Sequence, residues 1–298
     1  MHPLSVTLFS FQMCGLVALA CVSRVIGPPV DWPTATVPAA TLLLLGILWG
    51  AHVRRPGPAA EWIVPETFLG VAAVIAASSW LGPAQYVAAT LSRPLVDAQL
   101  AAMDAALGVN VGHLAMWTRA HPVVSLVLSI AYATLVAQFA IVQLVAGLGL
   151  RDRSAVWEYA WHFTVCATVT LVSSALWPAA SAFQYFGYTS TLPQGRFIAH
   201  FAALRAGTMA SIDFQDLEGL ISVPSFHVLG ALMIMWVLRK HWLTRLIAIP
   251  VNVLLIAATV LSGAHYLVDA LFAIPLFVAS VWTWRAWGQR LLPPSSVL

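Results

Sequence analysis

The sequence predicts an all-α fold, a polytopic bundle of transmembrane helices with about eight spans. Of its 298 residues, 60% are apolar and only 8% are charged, whereas charged residues make up about 25% of a soluble domain. Several long stretches contain no Asp, Glu, Lys or Arg, and a spanning helix needs about 20 such residues. We therefore expect an integral, multi-pass membrane protein.

The boundaries of the predicted spans follow from these charge-free stretches and from the polar turns between them. The first apolar segment has no preceding Lys or Arg and is longer than the apolar part of a signal peptide, so it is interpreted as a membrane helix. The predicted spans are residues 4–23, 36–53, 63–82, 122–149, 156–178, 222–240, 244–264 and 267–285.

Three regions are predicted along the chain: N-terminal transmembrane helices over residues 1–85, a transmembrane core over 86–285 and a C-terminal tail over 286–298. Inside the core, apolar residues recur at helical spacing near residues 93–108, with two aspartates among them. This pattern predicts a helix that lies along the membrane interface, either over a functional site or as a packing element.

The basic residues indicate which face of the membrane each loop occupies. When the loops are assigned alternately to two sides, nine Lys and Arg residues share the side of both termini and five lie on the other side. The positive-inside rule then places the termini in the cytoplasm, and it places the loops that carry His227 and His265 outside it.

The composition also argues against several other functions. The net charge of +3 is spread over the loops without a dense Lys/Arg run, so no nucleic-acid partner is predicted. The three cysteines lie in predicted spans without Cys-x-x-Cys spacing, so neither disulfides nor a thiolate metal site is expected. No cofactor is predicted, and the sequence does not indicate an oligomeric state.

Two short segments at the edges of hydrophobic stretches carry the candidate chemistry, Ser222–His227 and His265–Asp269. Ionisable groups at that depth are costly to desolvate, which makes them functional candidates. About 16 residues of helix lead from His227 to a basic turn and about 19 lead back, roughly 24 and 28 Å. Because antiparallel neighbours return to one depth, we expect both imidazoles to lie within a few ångströms of one substrate atom.

Local spacing predicts how these residues are held. His265 and Asp269 are four residues apart, so on a helix they would share a face and the carboxylate would bind the Nδ1 proton. That arrangement is typical of catalytic triads. The other segment is typical of a helix start, with Pro224 in the first turn and Ser222 or Ser225 capping free amides. Such a helix terminus suits a phosphate.

Ser222-x-Pro-Ser-x-His227 resembles the second signature of the type 2 phosphatidic acid phosphatase superfamily, and His265-Tyr-x-x-Asp269 resembles the core of its third signature. The spacing of 38 residues between the histidines is similar as well. Residues 97–108 and 217–227 resemble the inositol phosphorylceramide synthase branch most closely. The resemblance covers roughly residues 90–285 and implies a six-helix phosphatase-like core.

The resemblance also implies a mechanism. His265 would attack phosphorus to form a phosphohistidine, Asp269 would orient its ring, and His227 would protonate the departing oxygen. Ser225, Ser222 and nearby amides would hold the phosphoryl oxygens. The implied partners are the membrane and a phospholipid or lipid-phosphate substrate, and the implied chemistry calls for neither a metal nor a cofactor.

Two cationic residues of the superfamily signatures are absent. The lysine of the first signature is replaced by Tyr86 and the arginine of the third by Thr259. Members of the inositol phosphorylceramide synthase branch also lack that arginine. Possible substitutes on the preceding loop are Arg196, Arg205 and His200. Because a guanidinium binds two phosphate oxygens at once and its neighbours resemble the same branch, Arg205 is favoured.

The resemblance favours a lipid phosphotransferase that moves a phosphoinositol-type head group onto a lipid alcohol acceptor. With water as the acceptor, the same site would belong to a lipid phosphate phosphatase that acts on phosphatidic acid or polyprenyl phosphates. The residues alone leave two other classes open. One is a metal-dependent membrane enzyme, because two His and one Asp can form a facial ligand set, and the other is a non-catalytic lipid-binding or scrambling protein.

Overall fold

Helices dominate the computed structural model, which describes residues 2–53, 63–188 and 195–292. The helices are α1 (Pro3–Val22), α2 (Thr36–Val53), α3 (Ile63–Ala89), α4 (Asp97–Ala106), α5 (Val111–Arg119), α6 (Pro122–Leu144), α7 (Arg153–Leu176), α8 (Ala182–Tyr185), α9 (Gly195–Ala206), α10 (Phe226–Val237), α11 (Trp242–Leu261), α12 (Leu267–Thr283) and α13 (Gln289–Leu291). Two short strands, β1 (Val30–Asp31) and β2 (Ile212–Asp213), pair in parallel. The predicted all-α fold is confirmed.

Helices occupy all eight predicted spans, but they differ in length. Among the described residues, six helical segments are long and apolar enough to cross a membrane, those that begin with α1, α3, α6, α7, α11 and α12. Helix α2 is apolar over Thr36–Ala51, and α10 has only 12 residues before the 3-10 turn Leu238–Lys240. These lengths and compositions are those of an integral membrane protein.

Helix α10 begins later than predicted. Ser225 has extended backbone angles and its hydroxyl accepts a hydrogen bond from the Val228 amide at 3.4 Å, so Ser225 is the N-cap. A serine hydroxyl at this position satisfies one of the amides that a helix start leaves unbonded. The prediction that Pro224 occupies the first turn is therefore wrong, because Pro224 precedes the cap, where its peptide bond with Val223 is cis.

The predicted interfacial helix is present as α4, with its polar side turned towards the protein. Asp97 and Asp104 are 5% and 1% exposed, whereas Met103 and Leu107 are 42% and 55% exposed. A helix resting on a bilayer would keep its carboxylates in water. Helix α4 instead buries them against the bundle, which shows that its acidic residues serve contacts inside the protein.

The two ends of the bundle have different contents. Helix α10 packs against α6, α7, α11 and α12, and the histidine segments lie at its amino end. At the other end, Asp152 caps α7 by accepting a bond from the Ala155 amide at 2.9 Å and lies 3.1 Å from the Lys240 ammonium. Helical turns continue from α12 to Leu291, and residues 293–298 of the predicted tail lie outside the described residues.

Candidate active site

His265 lies just before α12 and is held by Asp269 and Ser222. Its Nδ1 is 3.3 Å from Oδ2 of Asp269 and 3.0 Å from the carbonyl oxygen of Ser222. The Ser222 hydroxyl donates to the same Oδ2 at 2.8 Å. His265 is 5% exposed and Asp269 is fully buried, so the three residues form a closed hydrogen-bonded group.

The partners of His265 determine which ring nitrogen carries the proton. A carbonyl oxygen and a carboxylate oxygen can only accept, and both approach Nδ1. Nδ1 is therefore the protonated nitrogen of the neutral ring, and Nε2 holds a lone pair. His265 has the tautomer of a nucleophile or a base that acts through Nε2.

The contact between His265 and Asp269 does not come from a shared helical face, as the four-residue spacing suggested. Helix α12 begins at Leu267, so His265 precedes it. Asp269 is in the first turn, where Oδ2 also accepts a bond from the Tyr266 amide at 3.1 Å. The carboxylate reaches back over the helix start, as capping residues do, and this brings it to the imidazole.

The turn before His265 requires a glycine. Gly263 has φ +79°, and a Cβ at this position would collide with the Tyr188 hydroxyl and with Ala115. The Tyr188 hydroxyl donates to the Gly263 carbonyl at 3.2 Å, and burial raises the pKa of Tyr188. The His265 amide then bonds the Thr259 carbonyl at 2.9 Å, which fixes where the imidazole leaves the backbone.

His227 lies in the first turn of α10 and faces His265. The two ring centroids are 5.8 Å apart. On its other side the ring stacks on Tyr132 of α6 at 4.0 Å between centroids, and the Tyr132 hydroxyl is 3.2 Å from Nδ1. The structure thus brings together the two predicted imidazoles, and Tyr132 is a neighbour that the sequence did not indicate because it lies in a uniformly apolar span.

A cavity of about 480 Å³ opens beside the two histidines. Apolar side chains from several helices form most of its wall, which extends between α3, α6 and α7, and they include Leu81, Leu135, Phe139, Phe163, Ala167 and Phe226. The volume is within the usual range for a small-molecule site, roughly 300–1,000 Å³. His227, His265 and Ser222 line the same cavity, so its polar end is at the imidazoles.

The predicted phosphate-binding serines have other partners. The Ser225 hydroxyl caps α10 and the residue is fully buried. The Ser222 hydroxyl donates to Asp269. Backbone also joins the two segments, because the Ser225 amide donates to the Asp269 carbonyl at 3.1 Å. These serines shape the site, and the first amides of α10, at Phe226 and His227, are the groups left facing an anion.

The two arginines proposed as phosphate ligands are not among the residues that line the cavity. Arg196 is exposed and forms ion pairs with Asp216 and Glu218. Arg205 stacks over Phe201 at 5.6 Å, and its Nη1 is buried without a hydrogen-bond partner among the described residues. The structure therefore does not bring either guanidinium to the histidines.

Tyr86, at the position of the absent lysine, has a structural partner set. Its hydroxyl accepts a bond from the Glu218 amide at 2.7 Å and lies 2.8 Å from Nδ1 of His200. Nε2 of His200 is 3.3 Å from Asp216. These contacts tie α3 and α9 to the segment that leads into Ser222, so Tyr86 positions the site from behind.

Arg119 is a cation that the sequence did not single out. It ends α5, and the Thr118 hydroxyl beside it donates to the Leu261 carbonyl at 2.7 Å. Its charge acts on Tyr188 by lowering the pKa that burial raises. Both contacts place the end of α5 against the turn that precedes His265.

Helix α4 supplies two further neighbours that the sequence did not place at the site. Asp104 accepts bonds from backbone amides of α12, and Asp97 accepts one from the Tyr266 hydroxyl. Burial raises the pKa of Asp104, and the two amide bonds oppose that shift. The available signal was that these are the only acidic residues between Glu66 and Asp152.

The described residues contain no group of three or more His, Cys, Asp or Glu side chains arranged to hold a metal ion. In comparisons with known proteins, a family model described as PAP2 superfamily matches residues 98–283. No curated protein and no solved structure matches the chain. The matched segment runs from α4 into α12 and contains both histidines and Asp269.

Proposed function

This chain belongs to the PAP2 superfamily, and from that premise we propose that it transfers a phosphate-bearing head group between lipids through a phosphohistidine on His265. Membership makes it a membrane enzyme of the phosphatase or phosphotransferase type that acts on lipid phosphates. Within that class, the proposed reaction resembles that of the inositol phosphorylceramide synthases, with a lipid alcohol as the acceptor.

One observation carries the proposed mechanism. Nδ1 of His265 is enclosed by two acceptors, so the lone pair of Nε2 belongs to the ring edge away from Asp269. His227 lies 5.8 Å away between ring centroids, a separation into which a phosphoryl group fits. When the Tyr132 hydroxyl donates to Nδ1 of His227, that ring carries its proton on Nε2, as a general acid requires.

The reaction divides into two displacements. In the first, Nε2 of His265 attacks phosphorus, the bond from phosphorus to the lipid oxygen breaks, and His227 gives its proton to that oxygen. In the second, an acceptor hydroxyl attacks the phosphohistidine, the P–N bond breaks, and His227 takes the hydroxyl proton. Asp269, held by Ser222, orients His265 and stabilises the charge that develops on its ring.

Backbone amides and one cation are proposed to stabilise the phosphoryl oxygens. The first amides of α10 point towards an anion in front of the helix, and the helix dipole adds to their effect. Arg119 is proposed to supply positive charge, because α5 ends at the turn before His265. Positioning and charge stabilisation are the main contributions to phosphoryl transfer.

The cavity supports an alcohol acceptor over water. Its wall is mostly apolar and His265 is only 5% exposed, so bulk water has restricted access to the phosphohistidine while a lipid chain can bury apolar surface there. We place this site on the extracytoplasmic face, as the distribution of basic residues predicts. A reporter fused to the C-terminus should be active only in the cytoplasm.

The decisive experiment traps the intermediate. Purified protein in detergent micelles is mixed with phospholipids labelled at phosphorus, quenched at alkaline pH, and digested for mass spectrometry. We expect label on His265 in the wild type and none in His265→Ala. His241→Ala is the matched control, because His241 lies in the basic turn at the other end of the bundle and its loss should leave the label unchanged.

Adding ceramide or diacylglycerol to the labelled enzyme then identifies the acceptor. Transfer predicts a new phosphorylated lipid in the product spectrum. Release of only water-soluble phosphate would show that the protein is a lipid phosphate phosphatase. Phospholipid binding without label under any condition would support a non-catalytic lipid-binding protein and would overturn the proposed chemistry.

A further inference from the structure

Two buried carboxylates on α4 reach the residues that directly follow His265. Oδ2 of Asp104 accepts a bond from the Leu267 amide and Oδ1 accepts one from the Val268 amide, both at 2.9 Å. These are the first two amides of α12, which the helix itself cannot bond. Asp104 therefore caps α12 from another helix, and it fixes the start of α12 relative to α4.

Asp97 binds the same region through a side chain. Its Oδ1 accepts a bond from the Tyr266 hydroxyl at 2.9 Å and one from the Ser181 amide at 3.1 Å, and its Oδ2 accepts one from the Ala180 amide at 2.8 Å. Ala180 and Ser181 line the cavity. One carboxylate thus connects the residue after His265 to the wall of the substrate cavity.

The backbone at Ser181 indicates that this connection holds the chain against its preference. Ser181 has φ 112° and ψ 157°, a region that residues other than glycine avoid at a cost of about 1–3 kcal/mol. Such a conformation persists only where several contacts determine it. Here Asp97 bonds both Ser181 and the residue before it.

We propose that α4 is a positioning element for the nucleophile, in which Asp97 and Asp104 set the location of His265 relative to the bound phosphate. This inference rests on the proposed role of His265. Neither aspartate lines the cavity, so both act through the backbone and Tyr266. A shift of about 1 Å in a reacting group is enough to cost roughly 100-fold in rate.

The test compares two helix caps in the full-length protein. Asp104→Ala removes the cap of α12, and Asp152→Ala removes the cap of α7 at the opposite end of the bundle. Both changes should lower the melting temperature. Only Asp104→Ala should lower kcat for phosphohistidine formation, by at least about tenfold, with KM changed less than twofold. Equal losses of kcat in the two variants would overturn the proposal.

A milder variant covers the case in which Asp104→Ala does not fold. Tyr266→Phe removes one hydroxyl and its bond to Asp97, and it leaves the buried ring in place. We expect kcat to fall several-fold with KM unchanged. Wild-type kcat in a folded Tyr266→Phe protein would contradict the role of Asp97.

A chemical readout separates this inference from the proposed function. Diethyl pyrocarbonate modifies unprotonated histidine nitrogens, and mass spectrometry gives the rate for each residue. In Asp104→Ala the rate at His265 should change at least threefold while the rate at His241 stays constant. An unchanged rate at His265 would overturn the positioning role, whereas absence of phosphoenzyme in the wild type would count against the proposed function alone.

Discussion

The amino termini of α10 and α12 adjoin one another, yet their amides have different partners. At α12, Asp104 accepts bonds from the first two helical amides and Asp269 accepts the bond from Tyr266 before them. At α10, the cap is the neutral hydroxyl of Ser225, which accepts a bond only from Val228. One terminus is closed by carboxylates and the other is left for an external anion.

This difference assigns a separate task to each helix. A phosphate near α12 would meet two carboxylates and amides that are already bonded, whereas near α10 it meets free amides and the positive end of the helix dipole. The closed terminus therefore holds the nucleophile still, and the open terminus binds the group that the nucleophile attacks. The predictions below alter one terminus at a time.

The largest effect should come from the two histidines, and it should separate their roles. We expect His265→Ala to lower kcat by roughly 10⁴-fold or more with every substrate. His227→Ala should lower kcat by about 10²–10⁴-fold with lipid substrates, because an alkoxide leaving group needs a proton. With p-nitrophenyl phosphate, whose leaving group needs none, the His227 variant should retain phosphoenzyme formation. Equal defects with both substrates would contradict the assignment of the acid.

The open terminus can be closed by one charge. Ser225→Asp keeps a good N-cap but adds a carboxylate in front of the first amides of α10. With an effective dielectric constant of about 20, a like charge at ~5 Å from the phosphate should lower kcat/KM by about 100-fold. Ser225→Asn has the same shape without the charge and serves as the control. If the two variants lost activity equally, the anion would not bind at α10.

The orientation of the nucleophile can be weakened from its far side. Ser222→Ala removes the hydroxyl that donates to Asp269, a hydrogen bond to a charged group worth about 1.5–3 kcal/mol. We expect kcat to fall roughly tenfold because Asp269 gains freedom to turn away from His265. The control is Ser78→Ala, since Ser78 also lines the cavity but its hydroxyl bonds the Val74 carbonyl, and its kcat should match the wild type.

The smallest effect concerns stability. Ser181→Gly should raise the free energy of unfolding by about 1 kcal/mol, because glycine adopts the positive φ of this position without steric cost. Thermal unfolding in detergent measures it, with Ser181→Ala as the comparison that keeps the strain. A lower melting temperature for Ser181→Gly than for Ser181→Ala would show that Asp97 does not hold the chain in a strained state.

Several features were predictable because they depend on local composition. Charge-free stretches located all eight helices, and the two histidine segments were recognised at the ends of adjacent helices. The predicted start of α10 was wrong by four residues, 222 against Phe226, because a cap is set by which hydroxyl reaches a free amide. The charged residues chosen as phosphate ligands, Arg196 and Arg205, lie away from the cavity because they are on a segment whose path depends on long-range contacts.

The amino-acid sequence by itself determined that this chain enters a membrane, where its helices lie, and that His227, His265 and Asp269 carry its chemistry, because hydrophobicity and motif spacing are local properties. Only the tertiary structure decided which nitrogen of His265 is protonated, that Asp97 and Asp104 face inwards, and that α10 has the open terminus. Those properties depend on hydrogen bonds between residues up to 169 positions apart, and no local pattern specifies such partners.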